Sequence, residues 1–271
     1  MSTGWPSGDV VANGIKIHYH RTGGDKPPVV LAHGITDNGL CWTRLARALE
    51  NDYDLIMFDA RGHGLSDAPD EGYTRADHAA DLAGLVRALG LGRPALIGHS
   101  MGAANVAVAA ASYPGLARRV VLEDPPWRRA FSAEDIAATA ETWRAEINNR
   151  KSQTREAIIA ELRAQHPNWA EVEWGPWVDS NLQVNPDVLQ WLNGEVTFAF
   201  WHETIRKITC PMLLVTGDPE LGAIVAPDVA REVANLCLNA RVAHIGGAGH
   251  SIRRERFEEY ADAVGGFLRQ G

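Results

Sequence analysis

The sequence predicts an α/β protein: a mostly parallel, eight-stranded sheet with helices on both faces and a helical cap inserted between two of its strands. Three observations carry this reading. Apolar runs of strand length alternate with longer stretches of helical period, as a parallel sheet joined by helical crossovers requires. The runs are continuously apolar, like Val-Val-Leu-Ala at 29–32, which marks strands covered on both faces. The alternation stops after residue 124 and resumes near 206, and seven of the nine tryptophans lie in between. Residues 1–124 and 206–271 are therefore assigned to one core, and 125–205 to the cap.

The elements follow in order. Residues 10–12 and 15–20 form an N-terminal hairpin region, and Pro28–Ala32 is a buried strand. Residues 42–50 read as a helix and Asp54–Phe58 as the next strand. In 75–89, Ala79, Leu82, Leu85, Val86 and Leu89 fall on one helical stripe. Residues 94–97 are a strand, Met101–Ser112 a helix and 119–122 another strand. The middle segment shows little strand signal, and Pro and Trp interrupt its charged helical stretches. Met212–Thr216 is again a strand, followed by a helix near Pro227–Leu236, a strand at 241–245 and a last helix at 256–269.

Composition narrows the function classes. The 271 residues are 45% hydrophobic and 22% charged, which fits a folded globular chain and not a disordered one. With 26 Lys and Arg against 34 Asp and Glu, the net charge is -8, and no basic block offers a footprint for nucleic acid. No run approaches the roughly 18 apolar residues that span a bilayer. The N-terminus has no basic region followed by an apolar stretch, so no export signal is expected. Cys41, Cys210 and Cys237 are scattered and odd in number, which fits small core side chains in a reducing cytoplasm. His202-Glu203 lacks a second His one turn on, and His18 with His20 has no further partner, so no metal site is expected.

The chemistry centres on Gly98-His99-Ser100-Met101-Gly102, which follows a strand and opens an Ala-rich helix. With 26 Gly and nine Ser, chance supplies roughly 0.08 such matches, and the strand-turn-helix setting sharpens the signal. A Ser in so tight a turn is strained, and its hydroxyl stands above the sheet edge beside free helix N–H groups. A plain glycine-rich turn with Ser as N-cap is the bland alternative.

Serine needs a base to take its proton. Of ten histidines, His250 in Gly-Gly-Ala-Gly-His-Ser directly follows the last strand, where a loop can reach back over the sheet. His244 lies inside that strand, His99 beside the serine is expected to direct its ring elsewhere, and His33, His63 and His78 read as structural. A carboxylate must then hold the imidazole tautomer. Thr216-Gly217-Asp218-Pro219-Glu220 supplies two in the order Ser, acid, His. Asp218 is preferred, because its short side chain sits at the strand end and Pro219 keeps it extended. Glu220 is the alternative.

The stretches His33–Asp37, Phe58–Asp67, Gly98–Gly102, Pro211–Asp218 and Gly246–His250 together resemble the α/β-hydrolase superfamily, in particular capped serine hydrolases of esterase and lactonase type. That resemblance implies oxyanion-hole N–H groups at Ile35 and Met101 and a scaffold role for Arg61 and His63. Relatives often carry Gly-x-x-Asp after the penultimate strand, a spacing that falls here on Glu220. Others place the acid after the preceding strand, which brings in Glu123 and Asp124. Asp would replace Ser100 in a dehalogenase or epoxide hydrolase.

The cap tryptophans offer apolar faces for a hydrophobic small-molecule substrate. Trp127, just past a strand end, is the expected contact, with Asp37 and Asn38 at a polar end. The expected reaction is hydrolysis of an ester or lactone without metal or organic cofactor. Carbon–carbon bond hydrolysis, cofactor-free haloperoxidase or perhydrolase chemistry, and a non-catalytic receptor that retains the triad stand as alternatives. Substrate identity and oligomeric state are not written in the sequence.

Overall fold

The computed structural model describes residues 4–127, 132–197 and 200–270. Its eight strands are β1 (Ser7–Ala12), β2 (Ile15–Arg21), β3 (Pro28–Ala32), β4 (Asp54–Phe58), β5 (Ala95–His99), β6 (Arg119–Glu123), β7 (Met212–Thr216) and β8 (Ala240–His244). They form one sheet in the order β1-β2-β4-β3-β5-β6-β7-β8. The first two pairings along that order are antiparallel and the other five parallel. Every residue of β4, β5, β6 and β7 is buried, whereas the edge strand β8 is mostly exposed. Central strands covered on both faces need the unbroken apolar runs seen in the sequence.

Helices cover the two faces. On one, α2 (Arg75–Ala88), α3 (Met101–Ser112) and α8 (Pro227–Leu236) pack over Val30, Ile56, Leu96, Val120 and Leu214. On the other, α1 (Thr43–Leu49), the short α9 (Ile252–Glu255) and α10 (Phe257–Arg269) cover Val29, Leu55, Ile97 and Val121. A Thr74 capping box starts α2, with Asp77 returning the hydrogen bond to the Thr74 N–H. The terminal helix expected at 256–269 is preceded by the extra turn α9, which carries two arginines of the site described below.

Between β6 and β7 lie α4 (Ala133–Lys151), α5 (Arg155–Gln165), α6 (Glu171–Gln183), a 3-10 stretch (Pro186–Thr197) and α7 (Phe200–Lys207). Trp169, Trp174 and Trp177 pack there with Cys41, Ile158 and Leu162 in a small core of their own. Trp191 Nε1 donates to Asn105 Oδ1 at 3.0 Å, which anchors the 3-10 stretch on α3. Among the described residues, no helix is long and apolar enough to cross a membrane.

Candidate active site

The parallel strands all point their carboxyl ends the same way, so the loops after β3, β5, β6, β7 and β8 share one rim. Ser100 sits on that rim between β5 and α3 with φ 52° and ψ -118°, a left-handed backbone uncommon for a side-chain-bearing residue. Two glycines make the bend possible. A Cβ on Gly98 would lie 2.4 Å from the Gly102 carbonyl oxygen, and one on Gly102 would lie 2.2 Å from that of Ala32. Gly102→Ala is therefore expected to lower stability by about 3 kcal/mol; an unchanged midpoint in urea denaturation would contradict the close crossing.

Ser100 and His250 line one cavity of about 580 Å³, together with Ile35 and Met101. His250 Nδ1 lies 2.6 Å from Asp124 Oδ2. A carboxylate only accepts, so Nδ1 carries the hydrogen and Nε2 keeps its lone pair. Asp124 is completely buried, and it also accepts from the N–H groups of Ile224 at 2.8 Å and Val225 at 2.9 Å. Its own φ is 41°, the second strained residue of the rim.

This corrects the preference for Asp218. That carboxylate is committed to the Gly247 N–H at 2.6 Å and to His244 Nε2 at 3.0 Å. It fastens the glycine-rich loop behind His250 instead of the imidazole itself. Glu220 is exposed in a short 3-10 turn. Glu123 is buried and bound to Arg253, through the backbone N–H at 2.9 Å and the guanidinium at 3.4 Å. Of these four carboxylates, all among the described residues, only Asp124 contacts the ring.

The expected substrate contacts also shift. Trp127 is 4% exposed and stacks on Trp201 at 5.6 Å, and it is not among the described residues lining the cavity. Its ring is used up in packing, while Trp143, Trp169, Trp177 and Trp191 form the aromatic wall. Asn38 Nδ2 donates to Gln183 Oε1 at 3.0 Å and ties the loop after β3 to α6, away from the cavity. Asp37 borders the cavity, but its two oxygens accept from Arg253 Nη2 at 2.8 Å and Arg254 Nη2 at 2.9 Å. Burial alone would raise its carboxyl, yet the two arginines outweigh that and hold it well below the usual carboxylate range.

Several histidines serve as scaffold in their neutral form. Burial, then the neighbouring His63, pushes His33 down to about 3. Its Nε2 accepts from the Ala60 N–H at 3.0 Å, so Nδ1–H donates to the Gly34 carbonyl at 2.8 Å. His63 Nε2 lies 2.8 Å from the Ile35 carbonyl oxygen, and Arg61 pairs with Asp81, as a scaffold role implies. His99 does not turn away. It borders the cavity, its Nε2 lies 3.0 Å from the His250 carbonyl oxygen, and burial holds it well below its ordinary value. The ring nitrogen therefore donates and pins the backbone of His250. Sequence reasoning missed this, because a residue at the end of a strand gives no sign of which loop its ring will meet.

Residues 27–253 match the model of the alpha/beta hydrolase fold family. The chain belongs to that family. It is 30% identical over 263 residues to 2-(acetamidomethylene)succinate hydrolase of Mesorhizobium japonicum, covering 92% of this chain and 90% of the relative. To N-formylmaleamate deformylase of Pseudomonas putida it is 30% identical over 278 residues, covering 99% and 98%. The solved structure of an N-formylmaleamic acid deformylase from Pseudomonas putida S16 superposes with a TM-score of 0.80 at 25% identity, over 96% of this chain and all of that one.

One further feature of the hydrolase cavity is cationic. Arg150 from α4 reaches it, packs 5.0 Å from the Trp177 ring centre and donates to Asn181 Oδ1 at 3.0 Å. Among the described residues no carboxylate lies within ion-pair distance of its guanidinium.

Proposed function

We propose that this chain is a serine hydrolase that transfers the acyl group of a small, carboxylate-bearing compound to water. The observation that carries the reading is the strained Ser100 sharing one cavity with His250, whose imidazole is oriented by a buried Asp124. Ser100 Oγ attacks the carbonyl carbon while His250 Nε2 takes its proton. Negative charge develops on the carbonyl oxygen, where the N–H groups of Ile35 and Met101 are assigned to meet it. Collapse breaks the bond to the leaving amine or alkoxide, which takes the proton from His250. Water then adds to the acyl-serine, losing a proton to the same nitrogen, and the acid departs as Ser100 regains its hydrogen.

The carboxylate is inferred from Arg150, a guanidinium against an aromatic wall whose only described polar partner is a neutral amide. The printed names of two relatives point the same way, since succinate and maleamate carry carboxylates and both compounds carry an N-acyl group. An N-acyl bond next to a carboxylate thus joins the ester or lactone as the bond broken.

A fluorophosphonate should label the peptide bearing Ser100, and turnover should be highest on carboxylate-bearing N-acyl and ester compounds. Arg150→Met should raise KM for these about 10–100-fold, the loss of one charge-assisted contact. KM for a neutral p-nitrophenyl ester should stay unchanged. Label without turnover on any of these compounds would favour a binding protein, and no label at Ser100 would exclude the serine mechanism.

A further inference from the structure

Beside the cavity, and in part lining it through Asp37 and Arg254, lies a set of buried charges that the hydrolytic steps do not use. Asp37, Glu123, Arg253 and Arg254 are each no more than 3% exposed, and Glu173 is 4% exposed. Arg253 is the hub. Its Nη2 donates to Asp37 at 2.8 Å, its Nη1 to Glu123 at 3.4 Å, and its backbone N–H to Glu123 Oε1 at 2.9 Å. Arg254 Nη2 donates to the other oxygen of Asp37 at 2.9 Å and its Nε reaches Glu173 of α6 at 3.5 Å.

Three members adjoin different parts of the proposed machinery. Asp37 follows Ile35 by two residues, in a turn closed by its own N–H on the Gly34 carbonyl at 3.1 Å. Glu123 precedes Asp124, and its carbonyl oxygen accepts from the Ser100 N–H at 2.9 Å. Arg253 follows His250 by three residues. The loop that carries His250 contains Gly246, Gly247 and Gly249, so the chain itself supplies little stiffness there. The loop after β3, the end of β6 and the segment after β8 thus meet at the guanidinium of Arg253.

We infer that Asp37 and Arg253 are positioning residues: with Glu123 they form a buried frame that holds the oxyanion loop, the nucleophile bend and the base loop in register. The inference rests on the hydrolytic reading of Ser100 and goes beyond it. Arginine suits the hub because its planar fork serves two carboxylates at once, which a lysine ammonium on a flexible stem cannot do with the same direction. A misplacement of about 1 Å in such a constellation costs about a hundredfold in rate.

The test uses the full chain and a fluorophosphonate, reading its limiting labelling rate separately from its half-saturating concentration. Asp37→Asn and Arg253→Met should each lower the limiting rate about a hundredfold with half-saturation within about threefold of the parent. Arg253→Lys should recover about tenfold of that loss, since it restores one charged contact but not the bridge. Asp54→Asn is the control: Asp54 is an equally buried carboxylate, paired with Arg21 at 2.6 Å where β4 begins, at the end of the parallel strands away from Ser100. It should lose thermal stability without losing labelling rate. If Arg253→Met yields no folded protein, Asp37→Asn and Arg253→Lys carry the same comparison. Limiting rates no lower for Asp37→Asn than for Asp54→Asn would overturn the frame while leaving the hydrolase reading intact. A parent chain that takes no label at Ser100 would overturn both.

Discussion

Asp124→Asn should lower kcat about 10⁴-fold, equivalent to about 5 kcal/mol of lost transition-state stabilisation, whereas Asp218→Asn should keep activity within about threefold. The asymmetry follows from the donors around each carboxylate. Asp124 Oδ2 accepts from both His250 and the Ile224 N–H, and Oδ1 accepts from the Val225 N–H. An amide offers one acceptor and one donor group, so either orientation sets its NH₂ against a fixed backbone N–H. The orientation that faces His250 with the NH₂ also forces the imidazole hydrogen onto Nε2, where it can no longer take a proton from Ser100. Asp218 faces Gly247 and His244, so its amide variant loosens the loop without changing the tautomer of His250. Steady-state kinetics of the two variants on one substrate decides the matter; collapse of Asp218→Asn with Asp124→Asn near normal would reverse the assignment.

Acid should unfold the protein well before its carboxylates titrate as a group. In the unfolded chain His33 binds a proton near pH 6.5, while in the folded protein burial and then His63 drop it to about 3. Between those values the unfolded state holds more protons, so unfolding free energy rises with pH and is lost as the pH falls. From pH 7 to pH 5 His33 alone removes about 2 kcal/mol. His63, His78 and His99 are lowered by burial as well and act in the same direction. The Asp37 carboxyl, held down by its two arginines, adds a further loss with the same sign below about pH 4. Calorimetry at constant ionic strength should show Tm falling by more than about 8 °C between pH 7 and pH 5. A flat Tm over that range would mean that these rings are protonated inside the fold.

Much of the architecture was readable because it depends on local regularity. The unbroken apolar runs of β3 to β7 and the Ser100 bend with its two glycines each follow from steric and burial rules that act over a few neighbouring residues. That His250 shares a cavity with Ser100 was readable because a loop after the last strand has few competitors. Which carboxylate contacts its ring was not, for a physical reason. β6 and β7 are neighbours in the sheet, so carboxylates after either strand satisfy the same chain order and lie on the same rim. What separates them is the direction of a side chain leaving a residue at φ 41°, and the preference for an extended acid before proline pointed to the strand end whose carboxylate does not contact the ring. The charge frame was hidden for a related reason. Asp37 and Arg253 are 216 residues apart, and in the sequence Arg253-Arg254 resembles any solvated basic pair. The packing of Trp127 on Trp201 was equally invisible, since both residues carry the same signal as a wall of the cavity.

His250 Nδ1 meets Asp124, one residue past the end of β6, so the exposed turn Pro219–Leu221 supplies no described partner to the imidazole. The backbone donors to Asp124 begin only at Ile224. Leu221 and Gly222 of this stretch line the cavity and the Leu221 carbonyl packs against Gly249, so a new side chain there reshapes the cavity wall, whereas a new length would disturb the loop that carries His250.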